Sequence, residues 1–178
     1  MSSFMLLLLA TLLRGDASER RQRFAVISTA TPDYIEANEE AIGSRRCYCL
    51  RHDYAFVLET TSATVDGRDP HWNKLPVLRK YLPYYDWVFF VDVDIFVTNS
   101  SVQLAHFTAP AERARPGTRF IFNDGIGVNS GAFFVRGWRG GRDAWTAAFL
   151  ERWWHLGGEM RRANREYESF LRDQGEWM

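Results

Sequence analysis

The chain is short of several things, and each shortage closes a line of interpretation. It has two cysteines, Cys47 and Cys49, two positions apart in a stretch that reads as helix, so their side chains point to different sides and a mutual disulfide is geometrically poor. Neither a disulfide framework nor a thiolate metal site can be read from them, and both are expected as buried free thiols. There is no surplus of charge: Lys plus Arg number 22, and so do Asp plus Glu. That balance removes the electrostatic case for nucleic acid or an anionic membrane surface as partner. No apolar run reaches the roughly 20 residues a spanning helix needs. Internal repeats and low-complexity tracts are absent, which excludes a solenoid or an array.

What is present is enough for a core. The 178 residues are 46% apolar and include 13 Phe, 7 Trp and 7 Tyr, the composition of one folded domain or part of a larger one. Aromatics in such number also suit a sugar-handling cleft, although packing is their default role. Residues 1–17 stand apart. Met1 to Leu13 (MSSFMLLLLATLL) fits the apolar region of a secretory signal peptide, with Gly15-Asp16-Ala17 as a small-x-small cleavage pattern. The lack of a basic residue before it, and Arg14 after it, leave a short membrane anchor or a start-site artefact as the alternatives, and residues 18–178 are expected to form the domain.

Along the domain, apolar strands alternate with helical periodicity. Phe24 to Ser28 (FAVIS) reads as a strand, Thr29 to Asp33 as a turn, and Tyr34 to Arg51 as one helix with an inward stripe of Ile35, Ala41, Ile42 and Tyr48 or Cys49. Tyr54 to Glu59 is a second strand, which completes a βαβ unit. Thr60 to Pro70 is a polar loop expected to be exposed. His71 to Tyr85 is a helix with Leu75, Leu78 and Leu82 on one face and Pro76 in its first turn. It feeds another strand, so the fold class expected is α/β: a Rossmann-like, mostly parallel sheet with flanking helices. Farther on, Ser100 to Phe107 reads as a short helix, Ala109 to Gly117 as a loop, Arg119 to Phe122 as a strand, Asn123 to Ser130 as a glycine-containing turn, and Gly131 to Val135 as a strand. Gly125, Gly127 and Gly131 could let a ligand lie against the main chain, or could be ordinary turn glycines. Asp143 is a candidate N-cap for a helix from Arg142 to Leu156, whose Trp145, Ala148, Phe149, Trp153 and Leu156 are expected to face the core, and Met160 to Leu171 reads as a separate charged helix.

The chemistry concentrates in Asp86 to Asn99 (DWVFFVDVDIFVTN). Val88 to Val91 is an unbroken apolar run, as in a strand buried on both faces. Asp92 and Asp94 follow it. On a strand they would project from one face, one pleat apart, able to meet a single target. Two carboxylates held that close repel unless a cation or a shared proton lies between them, and a hard divalent ion, Mn²⁺ or Mg²⁺, is the expected occupant. The plain alternative is that they open a loop. Ligands in open α/β sheets bind beyond the carboxyl ends of strands, which favours the site.

Three pieces in order, HWNKLPVLRKYLPYYDWVFFVDVDIFVTN, NSGAFFVRGWRGGRDAW and RDQGEW, resemble the GT-A nucleotide-sugar glycosyltransferases. The likeness is nearest to the retaining galactosyl-, mannosyl- and xylosyltransferases of glycosyltransferase family 34 and more distant to family 8, and it spans about Phe24 to Trp177. The resemblance implies a GT-A fold, C-terminally truncated, and transfer of a hexose or pentose from a nucleotide-diphosphate sugar to a glycan or other hydroxyl acceptor, metal-dependent and with retention. It makes Asp92 and Asp94 the DxD pair holding Mn²⁺ against the diphosphate. It also brings Lys74 to the phosphates or donor sugar, with a solvated helix lysine as the alternative, and Thr29 to the base and ribose. Asn129 and Gly131, with Asp124 close by, match a sugar- and acceptor-facing turn, and Asp173 and Gln174 match the pair at the reacting face of the donor sugar. Such enzymes work in the Golgi or endoplasmic reticulum lumen. Family members usually continue past the Asp-Gln pair to a distal histidine ligand, whereas His52, His71, His106 and His155 all precede it here.

Two other readings remain open at the level of sequence. A haloacid dehalogenase-type phosphatase would use Asp92 as nucleophile and Asp94 as general acid. A non-catalytic remnant would bind a nucleotide-sugar without transferring it.

Overall fold

The computed structural model describes residues 21–61, 68, 70–125, 127–139, 141 and 143–175, without the side chains of 124, 125, 127, 128, 160, 161 and 163–175. A five-stranded sheet forms its centre, in the order β2-β1-β3-β5-β4, from β1 (Phe24–Ala30), β2 (Ala55–Thr60), β3 (Trp87–Val91), β4 (Phe120–Gly125) and β5 (Gly127–Arg136). β1 pairs in parallel with β2 and with β3, while β5 runs antiparallel to both β3 and β4. The sheet is therefore mixed, with β5 alone reversed against the direction of the other strands.

β3 is central because its sequence can be buried on both faces. Trp87, Val88, Phe90 and Val91 are all buried, at about 1.5–3 kcal/mol for each large apolar side chain removed from water. The alternation of side chains along the strands divides the core in two. Ala25, Ile27, Val88, Phe90, Phe133 and Val135 face α3 (Lys74–Tyr81) and α5 (Ala144–Gly175). Phe24, Val26, Trp87, Val91 and Phe134 face α2 (Glu39–His52) and the segment leading into α4 (Ala105–Ala114). Leu75, Leu78 and Leu82 are buried as their spacing predicts, with Pro76 in the first turn of α3. Among the described residues no helix is long and apolar enough to cross a membrane.

Several expected boundaries move. The first helix is two: α1 (Pro32–Glu36) ends where Asn38 donates its side-chain amide to Tyr34 O at 2.8 Å, and α2 starts after that break. Cys49 is buried on α2, but Cys47 is exposed on its outer side, so only one of the two thiols is a core residue. The expected loop at 109–117 is largely helix. Pro110 interrupts one hydrogen bond inside α4, yet Glu112 beyond it accepts from Trp87 Nε1 at 3.2 Å and pairs with Arg136 at 3.1 Å, which holds the later turn in place. Most of the expected glycine turn at 123–130 is ladder: Asn123 faces Asn129 and Gly125 faces Gly127 across a tight hairpin, with a register shift at Phe122/Asn123. Of the loop expected at 60–70, residues 62–67 and 69 lie outside the described residues, while Arg68 is buried with its guanidinium 3.9 Å over the Trp154 ring.

The two expected C-terminal helices are one helix, α5. Asp143 caps it, its Oδ1 accepting from Trp145 N at 3.0 Å and Thr146 N at 3.1 Å. The buried stripe is displaced from the expected one: Thr146, Leu150 and Gly157 point inward with Trp153 and Trp154 partly buried, whereas Trp145, Ala148, Phe149 and Leu156 are exposed. Gly157 sets that rotation. A Cβ there would lie 2.6 Å from the Trp72 ring, so the helix turns its smallest residue toward the indole.

Candidate active site

The site forms where β1 and β3 separate. Their pairing ends at Ile27 and Phe90, after which the buried Ser28 hydroxyl donates to Val91 O at 2.6 Å and takes over from the ladder. A cavity of about 350 Å³ opens beyond these carboxyl ends, lined among others by Thr29, Tyr34, His71, Lys74, Asp92 and Asp94. A second cavity of about 380 Å³ shares His71, Lys74 and Asp92 and extends toward Asn129, Gly131 and Trp153.

Asp92 and Asp94 do share a cavity, but not through the pleat of a strand. β3 ends at Val91, and the acids sit on a turn in which Ile95 N donates to Asp92 O at 3.2 Å. Asp92 is half-buried and Asp94 exposed. Burial pushes the Asp92 carboxyl above the usual aspartate range, against the opposing pull of the Lys74 ammonium. Asp94 accepts from Tyr34 OH at 3.3 Å, and its charge raises the Tyr34 hydroxyl, which keeps that donor protonated.

Lys74, one of only two lysines in the chain, is not a solvated helix lysine. Its stem is buried in the first turn of α3, and its ammonium lies 3.3 Å from Asp92 Oδ1, 2.9 Å from Ser130 O and 5.0 Å from the centre of the Phe90 ring. A charge so thoroughly removed from water is held by its partners and faces the cavity as a fixed positive group.

Gly131 makes its close approach to the protein's own acid. Asp92 N donates to Gly131 O at 2.7 Å, and a Cβ on Gly131 would lie 2.9 Å from Asp92 Oδ2 and 3.0 Å from Asn129 Oδ1. Asn129 accepts from Gly131 N at 2.8 Å, so this end of β5 forms a wall against which the Asp92 carboxylate rests. Thr29 lines the first cavity, its hydroxyl buried without a partner among the described residues. Asp124 lies on β4 opposite Val128, and Asp173 and Gln174 lie in the last turns of α5, but their side chains fall outside the described residues.

For a metal, the donor set is two carboxylates on one cavity. Among the described residues no group of three or more His, Cys, Asp or Glu side chains gathers. Two carboxylates on one cavity fit a hard cation that takes one or two carboxylates and completes its shell with water and phosphate oxygens. Periodicity alone passed over Arg45, Tyr34 and Ser28. Arg45 carried one readable signal: it falls on the inward stripe of α2 between Ile42 and Tyr48, where a cation needs buried partners.

Residues 25–113, half of the chain, match the model of the galactosyl transferase GMA12/MNN10 family, glycosyltransferase family 34. The chain belongs to this family. It is thus a member of a glycosyltransferase family, and the phosphatase alternative is set aside. No curated protein matches it. Among solved structures it is similar to a glycosyltransferase involved in the glycosylation of the major capsid of PBCV-1, with a TM-score of 0.56 and 16% identity over 75% of this chain and 66% of that one. At that identity the likeness carries the fold, which is a glycosyltransferase fold, and the chain spans slightly less than two thirds of that neighbour's length. The family match includes Thr29, Lys74, Asp92 and Asp94, along with Arg45, and ends before Asp124, Asn129, Gly131, Asp173 and Gln174.

Proposed function

We propose that the chain transfers a hexose or pentose from a nucleotide-diphosphate sugar to a hydroxyl of a glycan, with Asp92 and Asp94 holding Mn²⁺ or Mg²⁺. The observation that carries this is the convergence of two carboxylates and a buried lysine on one cavity at the carboxyl ends of β1 and β3, in a chain of this family. A divalent ion there would supply neutralisation of the charge that grows on the departing diphosphate. Lys74 offers a second positive charge at the same place, held by Ser130 O and Phe90 so that it need not reorganise as the bond breaks. Tyr34 orients Asp94 by its hydrogen bond, and the Thr29 hydroxyl, without a partner among the described residues, offers a polar contact on the wall where the nucleoside would rest.

Retention of configuration is part of the proposal and rests on the resemblance to retaining enzymes. Gln174 is neutral and a poor nucleophile, which favours attack from the same face: the acceptor oxygen bonds to the anomeric carbon while the bond to phosphate breaks, and the departing phosphate takes the acceptor's proton. The Gln174 carbonyl, with Asp173 beside it, would steady the oxocarbenium-like carbon. Asn129 and Gly131, with Asp124, would face the sugar and acceptor across the second cavity. The compartment that fits is the lumen of the Golgi or endoplasmic reticulum, with residues 1–17 as signal or anchor.

The test is a panel of nucleotide-sugars with Mn²⁺, read as sugar release and as thermal stabilisation by UDP or GDP. Transfer or hydrolysis that falls about a hundredfold or more in Asp94→Ala supports the reading. Metal-dependent nucleotide binding without turnover of any donor would instead identify a non-catalytic binder, and no binding at all would end the proposal.

A further inference from the structure

Residues 92–104, which link β3 to α4, form neither strand nor α-helix, and side chains of α2 and its C-terminal flank pin them along their length. Ser44 Oγ accepts from Val97 N at 3.1 Å, Tyr48 OH donates to Val102 O at 2.7 Å, His52 Nε2 meets Ser100 O at 2.8 Å, and Tyr54 OH accepts from Leu104 N at 3.1 Å. Arg45 is the innermost of these. It is fully buried, and among the described residues it pairs with no carboxylate. Nη1 donates to Asp92 O at 3.0 Å and to Ile95 O, and Nη2 donates to Val93 O at 2.8 Å.

We infer that Arg45 is a positioning residue for the acid pair, its planar guanidinium gripping three carbonyls of the Asp92–Ile95 turn so that both carboxylates face the cavity. Two acids separated by one residue repel, and a turn carrying them relaxes by swinging one away. A buried cation bonded to the turn's own carbonyls resists that motion twice: it fixes the backbone, and its positive field opposes the summed charge of Asp92 and Asp94. Lysine cannot do the same, because a single ammonium does not reproduce the fork that spans separate carbonyls. What the acids hold rests on the function proposed above; that Arg45 sets their direction does not.

The experiment compares wild type, Arg45→Met, Arg45→Lys and Tyr48→Phe in the full chain, by Mn²⁺ titration followed by electron paramagnetic resonance and by amide hydrogen exchange without metal. Both Arg45 variants are expected to bind Mn²⁺ about ten- to a hundredfold more weakly, with lysine the milder, as for other groups that support metal ligands from behind. Exchange at Val93, Asp94 and Ile95 should quicken. Tyr48→Phe, which loses a bond in the same segment but far from the acids, should lower Tm and leave Mn²⁺ affinity unchanged. Mn²⁺ affinity within about twofold of wild type in a folded Arg45 variant overturns the inference; where Arg45→Met does not fold, Arg45→Lys decides. Failure of wild type to bind Mn²⁺ would count against the proposed function, and exchange at residues 93–95 would still settle Arg45, an unchanged rate overturning it.

Discussion

Replacing Gly131 with alanine puts a methyl group where the acid pair has no room for one. Gly131 is not in the left-handed region, so alanine is allowed by the backbone and the effect is one of contact. The added carbon would lie 2.9 Å from Asp92 Oδ2 and 3.0 Å from Asn129 Oδ1. Relaxed nonbonded contacts lie near roughly 3.5 Å, so about half an ångström must be found. Asn129 is exposed and can rotate away, giving up its hydrogen bond to Gly131 N at about 1 kcal/mol or less. Asp92 cannot leave, since its N–H is bonded to Gly131 O and its Oδ1 faces Lys74. Its carboxyl must turn, and ~30° off a rotamer costs about 0.5–1.5 kcal/mol. Alanine restricts the unfolded chain and returns about 0.4–1 kcal/mol, so the net loss of stability should be no more than about 2 kcal/mol. The displaced carboxylate, in contrast, should weaken Mn²⁺ binding about tenfold, the equivalent of about 1.4 kcal/mol. The assay pairs a Mn²⁺ titration, with and without UDP or GDP, with a thermal melt. Adding Asn129→Ala should not restore affinity, because the crowded group that matters is Asp92. Unchanged Mn²⁺ affinity in a folded Gly131→Ala protein would refute the claim that this wall sets the Asp92 carboxylate.

Three further outcomes follow from the packing. Burial pushes the Cys49 thiol up to about 12, opposed only in part by Arg45, whereas Cys47 is exposed; a thiol reagent at neutral pH should modify one cysteine in the native chain and the second only on unfolding. Asp143 is held below the usual carboxylate range: burial opposes this, but the Thr146 N–H and the Arg119 guanidinium outweigh it, so its stabilisation is present above the unfolded aspartate value of about 3.9 and is lost as pH falls through the folded one. Asp143→Ala should cost about 1 kcal/mol at neutral pH, Asp143→Asn less, and the gap between wild type and the asparagine variant should close on acidification below about pH 4 in melts. Leu78→Ala, at a fully buried position between α3 and the sheet, should cost about 2–5 kcal/mol in urea unfolding while leaving Cys47 reactivity unchanged.

Local pattern determined a good part of this molecule. An apolar run from Val88 to Val91 cannot be anything but interior, a leucine at 75, 78 and 82 marks one face of a helix, and an aspartate before an apolar periodic stretch caps it, because each rests on short-range geometry that any context must respect. The acid pair after a buried strand was legible for the same reason, as was the family, through the order of its pieces. Tertiary packing decided the rest. The periodicity of α5 is compatible with more than one inward face, and the Trp72 ring chose it by needing Gly157 beneath it. The segment from Asn123 to Ser130 became ladder because β5 pairs with β3 and so draws β4 along. For Lys74 the sequence left a phosphate contact and a solvated helix lysine both open, and for Arg45 it showed only a place on the inward stripe; their burial depends on carbonyls and a carboxylate brought from 47 to 56 positions away for the hydrogen bonds to the DVDI turn and Ser130 and 18 positions away for Asp92. Helical periodicity can mark a cation as inward-facing, as it does Arg45, but it cannot name partners that distant, and only the folded chain shows what those charges hold.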